Sequence, residues 1–302
     1  MNFPVYHPFK SAKAQEEYLA SYDLKARQWP IASETRMIET SYGQTFVRIS
    51  GAANGKPLVL LPGASANSLM WIENIEALSA EYKTIAVDNI YDYGRSVYTR
   101  PIKNPDDFMR WLDELITNLD LGDQIYLMGM SYGAWLASQY AVRYPDHLAK
   151  VVLMAPPATV LPMRFEFWVR AILSVFHRRF LKSFLNWILL GEAHQDADAE
   201  QELEKGINEM LLASKCFKPK AMPLPTVLTD EDLQGIHVPM LFIAGENEKM
   251  YSAQKAVRRL QQIAPQIKTA IIPAGHALSQ VELINGMVLN FLSNSNFDFH
   301  AV

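Results

Sequence analysis

The stretch LMGMSYGAWLASQYA, Leu127–Ala141, decides the fold. An apolar run ends at Met130, a serine stands between Gly129 and Gly133, and a helix pattern rich in small residues follows. That order reads as strand, sharp turn, helix. In such a turn strand and helix nearly touch, so glycines remove side chains that would collide. Ala134, Ala137 and Ala141 let the helix lie close. A tight turn alone explains the glycines. A nucleophile, Ser131, held in a strained backbone at the turn, explains the glycines, the serine and the helix together.

Working outward, short apolar runs recur at regular distances. PLVLLPG (Pro57–Gly63), YKTIAVD (Tyr82–Asp88), KVVLMAP (Lys150–Pro156), VPMLFIAG (Val238–Gly245) and KTAIIPAG (Lys268–Gly275) each end at turn-forming residues or a sharp polar change. They read as buried strands. Helices are predicted over about Pro105–Leu119, Tyr132–Tyr144, Ser252–Ile263 and Gln280–Ser293, and in the first 30 residues. Two strands around a Ser-Tyr-Gly turn fit Glu34–Ser50. Strands alternating with helices imply a mostly parallel sheet covered on both faces, an α/β fold.

The alternation breaks once. Between Pro157 and Val238 the chain is mostly helical and ends in the proline-rich KPKAMPLP. This gives residues 159–228 as an inserted helical lid between two parts of one core, 1–158 and 229–302. Within it, Phe165, Trp168, Val169, Ile172, Leu173 and Phe176 fall at helical spacing. Arg170, His177, Arg178, Arg179 and Lys182 interrupt the apolar run, so two amphipathic helices are predicted rather than a membrane span.

Composition excludes several classes of function. With 302 residues, 49% of them hydrophobic, the chain is long enough for one large core. A formal net charge of -4 offers no footprint for nucleic acid or an anionic membrane. The single cysteine, Cys216, allows no internal disulfide and fits a reducing, cytoplasmic setting. No metal-ligand spacing and no phosphate loop is present, so no metal and no other cofactor is expected.

A serine hydroxyl is a poor nucleophile without an adjacent base. Of seven histidines, His7, His147, His177, His194, His237 and His300 lie near the termini, in polar loops or on charged faces. His276 differs, because it follows the last predicted strand at the edge where open α/β sheets bind ligands. A base of this kind needs an acid to fix its tautomer. Glu246 and Glu248 follow MLFIAG at the same edge; one would face the site and the other the solvent. The oxyanion would be met by the backbone N–H of Tyr132, at a helix start, and by one from the loop after LVLLPG, at Ala64.

With these motifs the chain resembles the α/β-hydrolase fold family over nearly its whole length, and within it bacterial carboxylesterases of the naproxen-esterase type. The resemblance rests on YGQTFVRISG, PLVLLPGASANSLMW, YKTIAVDNIYDYGRS, GMSYG, FLNWIL, VLTDEDL, VPMLFIAGENEKMYS and PAGHALS. The chain order serine, acid, histidine matches the family's. The resemblance selects Glu248 over Glu246, since the family's acid stands three residues after the glycine that ends the strand. Two departures stand out. Pro62-Gly63 replaces the usual His-Gly before the oxyanion loop, and the loop from Asp88 to Ser96 is one residue longer than the family pattern.

The resemblance implies a serine hydrolase acting on small-molecule carboxylic esters, as a monomer or homodimer, with neither nucleic acid nor membrane as partner. Met70, Trp71, Phe165 and Trp168 are candidate walls of an apolar acyl pocket, with Phe176, Phe184 and Trp187 behind them. The same triad could cleave a carbon–carbon bond or a lactone, and the same fold could serve as a non-catalytic receptor.

Overall fold

The apolar runs pair into one sheet in the computed structural model, which describes residues 4–190 and 197–294. The chain begins with helix α1 (Ala12–Ala26), capped by the Ser11 side chain. The hairpin β1 (Ser33–Thr40) and β2 (Gly43–Ser50) follows. Next come β3 (Lys56–Leu61), α2 (Ile72–Glu81), β4 (Tyr82–Val87), the two-residue β5 (Val97–Tyr98) and α3 (Pro105–Asn118). β6 (Ile125–Met130), α4 (Tyr132–Arg143) and β7 (Leu148–Met154) complete the first part. A helical excursion holds α5 (Phe165–Ser174), α6 (Arg178–Leu185) and α7 (Ala197–Cys216). α8 (Asp230–Gln234), β8 (Met240–Gly245), α9 (Ala253–Ile263), β9 (Lys268–Ile272) and α10 (Val281–Ser293) return to the sheet.

The strand order is β1-β2-β4-β3-β6-β7-β8-β9, with β5 beside β2. From β4 to β9 every pairing is parallel, and the β1 and β2 edge is antiparallel. Parallel strands buried on both sides alternate between two cores. Val59, Leu61, Leu127, Val151, Leu153 and Phe242 face one core with α3 and α4. Leu58, Leu60, Met128, Val152, Leu241 and Ile243 face the other with α1, α2 and α10. α2, α8 and β5 were not among the elements expected from the sequence; they are short, and short elements carry little periodic signal.

Local chemistry sets the helix starts. In α3 the Asn104 side chain accepts from the Asp107 N–H, Pro105 takes the first turn, and Asp106 and Asp107 complement the helix dipole. α4 lies in the middle of the protein, with every residue from Tyr132 to Ala141 buried, which is why its sequence is rich in alanine.

The excursion leaves and rejoins the core at one point, where the Leu228 N–H donates to the Thr159 carbonyl at 3.0 Å. α7 is fastened to the N-terminal segment. Lys218 N–H donates to Pro8 O at 2.7 Å, Lys10 N–H to Cys216 O at 2.9 Å, and the Phe9 and Phe217 rings meet at 4.3 Å. α5 corrects a sequence expectation. Its spaced stripe Phe165, Val169, Ile172, Leu173 and Phe176 is exposed, and Phe167 is the residue that packs inward, against Phe184. Among the described residues no helix is long and apolar enough to cross a membrane.

Candidate active site

β6 delivers Ser131 into a turn whose backbone is strained, at φ 51° and ψ −118°. A non-glycine residue stays there only when its surroundings over-determine it. Here they do. The Ser131 N–H donates to the Met154 carbonyl at 2.8 Å, and the Ser131 carbonyl accepts from Ala134 and Trp135 at the start of α4. The flanking glycines are required by close approach. A Cβ at Gly129 would stand 2.3 Å from Gly133 backbone atoms, and one at Gly133 would stand 2.3 Å from the Leu61 carbonyl oxygen.

His276 and Glu248 arrive from the ends of β9 and β8. The two loops are stitched together by main-chain bonds, Glu246 N–H to Ile272 O at 2.8 Å and Asn247 N–H to Ala274 O at 3.0 Å. Gly245 permits this contact, since a Cβ there would lie 2.4 Å from the Ala274 and Gly275 carbonyl oxygens. His276 Nε2 then lies 2.9 Å from Ser131 Oγ, and His276 Nδ1 lies 2.6 Å from Glu248 Oε2. The second carboxylate oxygen, Oε1, accepts the Met250 N–H at 2.8 Å. Glu248 and His276 are buried and Glu246 is exposed. Hydroxyl, imidazole and carboxylate form one row with the hydroxyl end partly open.

Ala64 lies in the loop after β3, and Tyr132 directly follows Ser131. Tyr132 is the first residue of α4, where N–H groups lack helical partners. In the loop after β3, Gly63 N–H donates to Met70 Sδ at 3.3 Å, Ser65 N–H to Asp92 Oδ2 at 2.9 Å, and Ala66 N–H to Gly63 O at 3.2 Å. Among the described residues no partner accepts from the main-chain N–H of Ala64 or of Tyr132. The loop lies against the nucleophile, because a Cβ on Gly63 would be 3.4 Å from Ser131 Cβ.

The expected pocket residues separate. Met70 is half-buried and tethers the loop after β3 through its sulfur, which accepts the Gly63 N–H. Trp71 is fully buried in the core below α2. Trp168 is half-buried, edge-to-face with Phe167 at 5.3 Å. Phe165 is 82% exposed and forms no pocket wall in this structure. Of the remaining histidines, His147 lies 2.9 Å from the Tyr140 hydroxyl and 3.2 Å from Asp113, and His177 caps α6. His194 and His300 lie outside the described residues. No cluster of metal-ligating side chains occurs among the described residues.

Several supporting groups were not among the site residues named from the sequence. Asp88 is buried and accepts Ser68 N–H and Arg95 N–H, each at 2.8 Å, together with the Tyr22 hydroxyl. Burial pushes its carboxyl above the usual range. Asp92 is also buried and accepts the Ser65 N–H in the loop after β3, and the Nζ of Lys220 is buried. For Asp92 a signal existed, since an acid inside the aromatic IYDYG loop needs a partner. For Lys220 no local pattern could have shown it.

Known proteins share this fold. Residues 56–282 match the model of the α/β-hydrolase fold family. Carboxylesterase YbfK of Bacillus subtilis (strain 168) is 30% identical over 287 residues, covering 94% of this chain and 96% of that one. The crystal structure of naproxen esterase (carboxylesterase NP) from Bacillus subtilis superposes with a TM-score of 0.83 at 29% identity, covering 94% of this chain and 99% of that one. The crystal structure of carboxylesterase CesB (YbfK) from Bacillus subtilis gives 0.81 at 29% identity, covering 93% and 99%.

Proposed function

The chain belongs to the α/β-hydrolase fold family, and on that premise we propose that Ser131, His276 and Glu248 carry its hydrolysis of carboxylic esters. It is a carboxylic-ester hydrolase, as its full-length likeness to carboxylesterases supports. The observation that carries the residue roles is the continuous hydrogen-bonded row from Ser131 Oγ through both nitrogens of His276 to Glu248.

Ser131 Oγ attacks the acyl carbonyl as its proton passes to His276 Nε2. The new C–O bond makes a tetrahedral oxyanion, which the N–H groups of Ala64 and Tyr132 receive. Glu248 holds the Nδ1–H tautomer and stabilises the imidazolium. The tetrahedral species collapses, the bond to the alcohol oxygen breaks, and the alcohol leaves with the proton from Nε2. Water then attacks the acyl-enzyme, giving its proton to His276. The acid departs as Ser131 regains its hydrogen.

Residues 159–228 serve as the cap over this site, with Phe167, Phe184 and Trp187 as its inner apolar side and Trp168 against Phe167. Such a lining suits small to medium apolar esters. The lone buried cysteine fits a reducing, cytoplasmic setting. Carbon–carbon and lactone cleavage have no observation of their own in this site.

The test is Ser131→Ala assayed on p-nitrophenyl acetate and butyrate, alongside fluorophosphonate labelling of the wild type. Wild-type turnover and labelling with a loss of more than about a thousandfold in the variant supports the reading. Variant activity within tenfold of wild type overturns it.

A further inference from the structure

We propose that Asp92 and Lys220 position the oxyanion loop. Asp92 clamps the Ser65 N–H next to Ala64, and Lys220, brought in by the chain returning from the cap, keeps that carboxylate ionised. This rests on the ester-hydrolase reading and names two positioning residues for it.

The loop needs a clamp. Ser65 sits at φ 62°, a conformation that a side chain makes costly. Asp92 Oδ2 accepts its N–H at 2.9 Å, and Asp92 Oδ1 accepts the Tyr93 N–H at 2.8 Å. Both oxygens are thus used as acceptors. Protonation would turn one into an O–H donor facing an N–H donor, and one of the two bonds would be lost. With Gly63, Ser65 and Ala66 each bound, the N–H that remains free in this turn belongs to Ala64.

Asp92 is 3% exposed, and burial raises its carboxyl to about 6, while Lys220 opposes that rise. Lys220 Nζ is buried and donates to no partner among the described residues. Instead it stands over four rings, 5.5 Å from Tyr91, 5.3 Å from Tyr93, 5.6 Å from Tyr98 and 5.2 Å from Phe217. A buried ammonium without hydrogen bonds is costly, and four ring faces offset part of that cost. Burial lowers it to about 8, so it is largely charged at neutral pH.

Lys220 acts on Asp92 through its field. The other titratable groups facing Asp92 are Tyr93, Tyr132 of α4 and Tyr18 of α1. Burial and Asp92 itself raise all three phenols, so they stay neutral across the working range. Lys220 is the one cation among the groups acting on Asp92. Two aromatic residues of its cage flank Asp92 in the chain, and the fourth, Phe217, packs with the N-terminal segment. The seating of the cap's return segment is therefore coupled to the oxyanion hole.

The experiment measures kcat and KM for p-nitrophenyl butyrate from pH 5 to pH 9, and the phosphonylation rate of Ser131 over the same range. The proteins are wild type, Lys220→Met, Lys220→Arg, Asp92→Asn and the Met/Asn double variant. In Lys220→Met the acid limb of kcat moves up by about one pH unit, as loss of a facing cation requires, with little change at pH 9. Lys220→Arg restores the wild-type limb. Asp92→Asn lowers kcat about tenfold at every pH, less than outright loss of an oxyanion donor, and adding Lys220→Met to it moves the limb no further. A folded Lys220→Met with a wild-type limb overturns the proposal, and so does a shift that persists with Asn at 92. Should Lys220→Met not fold, Lys220→Gln carries the same comparison. Absence of ester turnover in the wild type would instead overturn the ester-hydrolase reading.

Discussion

His276 Nε2 stands 2.9 Å from the Ser131 hydroxyl oxygen because the loop that carries His276 is tied by main-chain bonds to the loop that carries Glu248. The imidazole is held from both sides, by the carboxylate at Nδ1 and by the serine at Nε2.

Replacing Glu248 by Gln keeps an acceptor oxygen but removes the charge that favours the imidazolium. A loss of about a thousandfold in kcat is expected, with KM changed little. Steady-state kinetics on p-nitrophenyl butyrate check this, and a loss below tenfold would remove Glu248 from its role.

The strained backbone at Ser131 predicts a trade of stability against activity. Ser131→Gly should raise the unfolding free energy by about 1–2 kcal/mol while abolishing turnover. Chemical denaturation of both proteins measures it. An unchanged or lower stability would mean the turn is not strained in solution.

Gly129→Ala and Gly133→Ala drive a methyl into backbone at 2.3 Å. Backbone cannot swing aside as a side chain does, so each should cost several kcal/mol or prevent soluble expression, beyond the about 1–3 kcal/mol of ordinary overpacking. Gly206→Ala in α7 is the control, since nothing lies within 4 Å of its new Cβ. It should stabilise by about 0.5–1 kcal/mol through helix propensity.

The Tyr251 hydroxyl is buried with no hydrogen-bond partner among the described residues. Tyr251→Phe should therefore leave the protein equally stable or more stable by about 1 kcal/mol. Calorimetry tests this, and a loss of more than 1 kcal/mol would reveal a partner for the hydroxyl.

Asp92 also predicts a pH dependence of stability. Its folded carboxyl is raised from 3.8 to about 6, so between those values the folded state binds the proton that the unfolded chain has released. Its contribution favours folding below about pH 4 and is lost as pH rises through 6. Wild type should thus gain about 2 kcal/mol on Asp92→Asn as pH falls from 6 to 4. Urea unfolding at each pH gives the difference, and a flat difference would show that Asp92 titrates normally.

Much of the fold was legible because its signals are local. The parallel strands are continuous apolar runs, and α3 and α9 carry their caps next to their stripes. The α5 stripe misled for the opposite reason. Apolar residues occur on both of its sides, so periodicity alone could not say that Phe167 packs on Phe184 while Phe165 meets solvent.

The sequence by itself determined the turn at GMSYG, because the close approach of Gly129 to Gly133 lies within five residues. It also placed His276 and two glutamates at strand ends, where an α/β sheet exposes them. The family resemblance selects Glu248, and only the tertiary structure buries it against His276 and brings Asp92 to Ser65, with Lys220 acting on Asp92. Those contacts join segments far apart in the chain. They depend on strand order and on how the returning connector packs, and no local propensity encodes either.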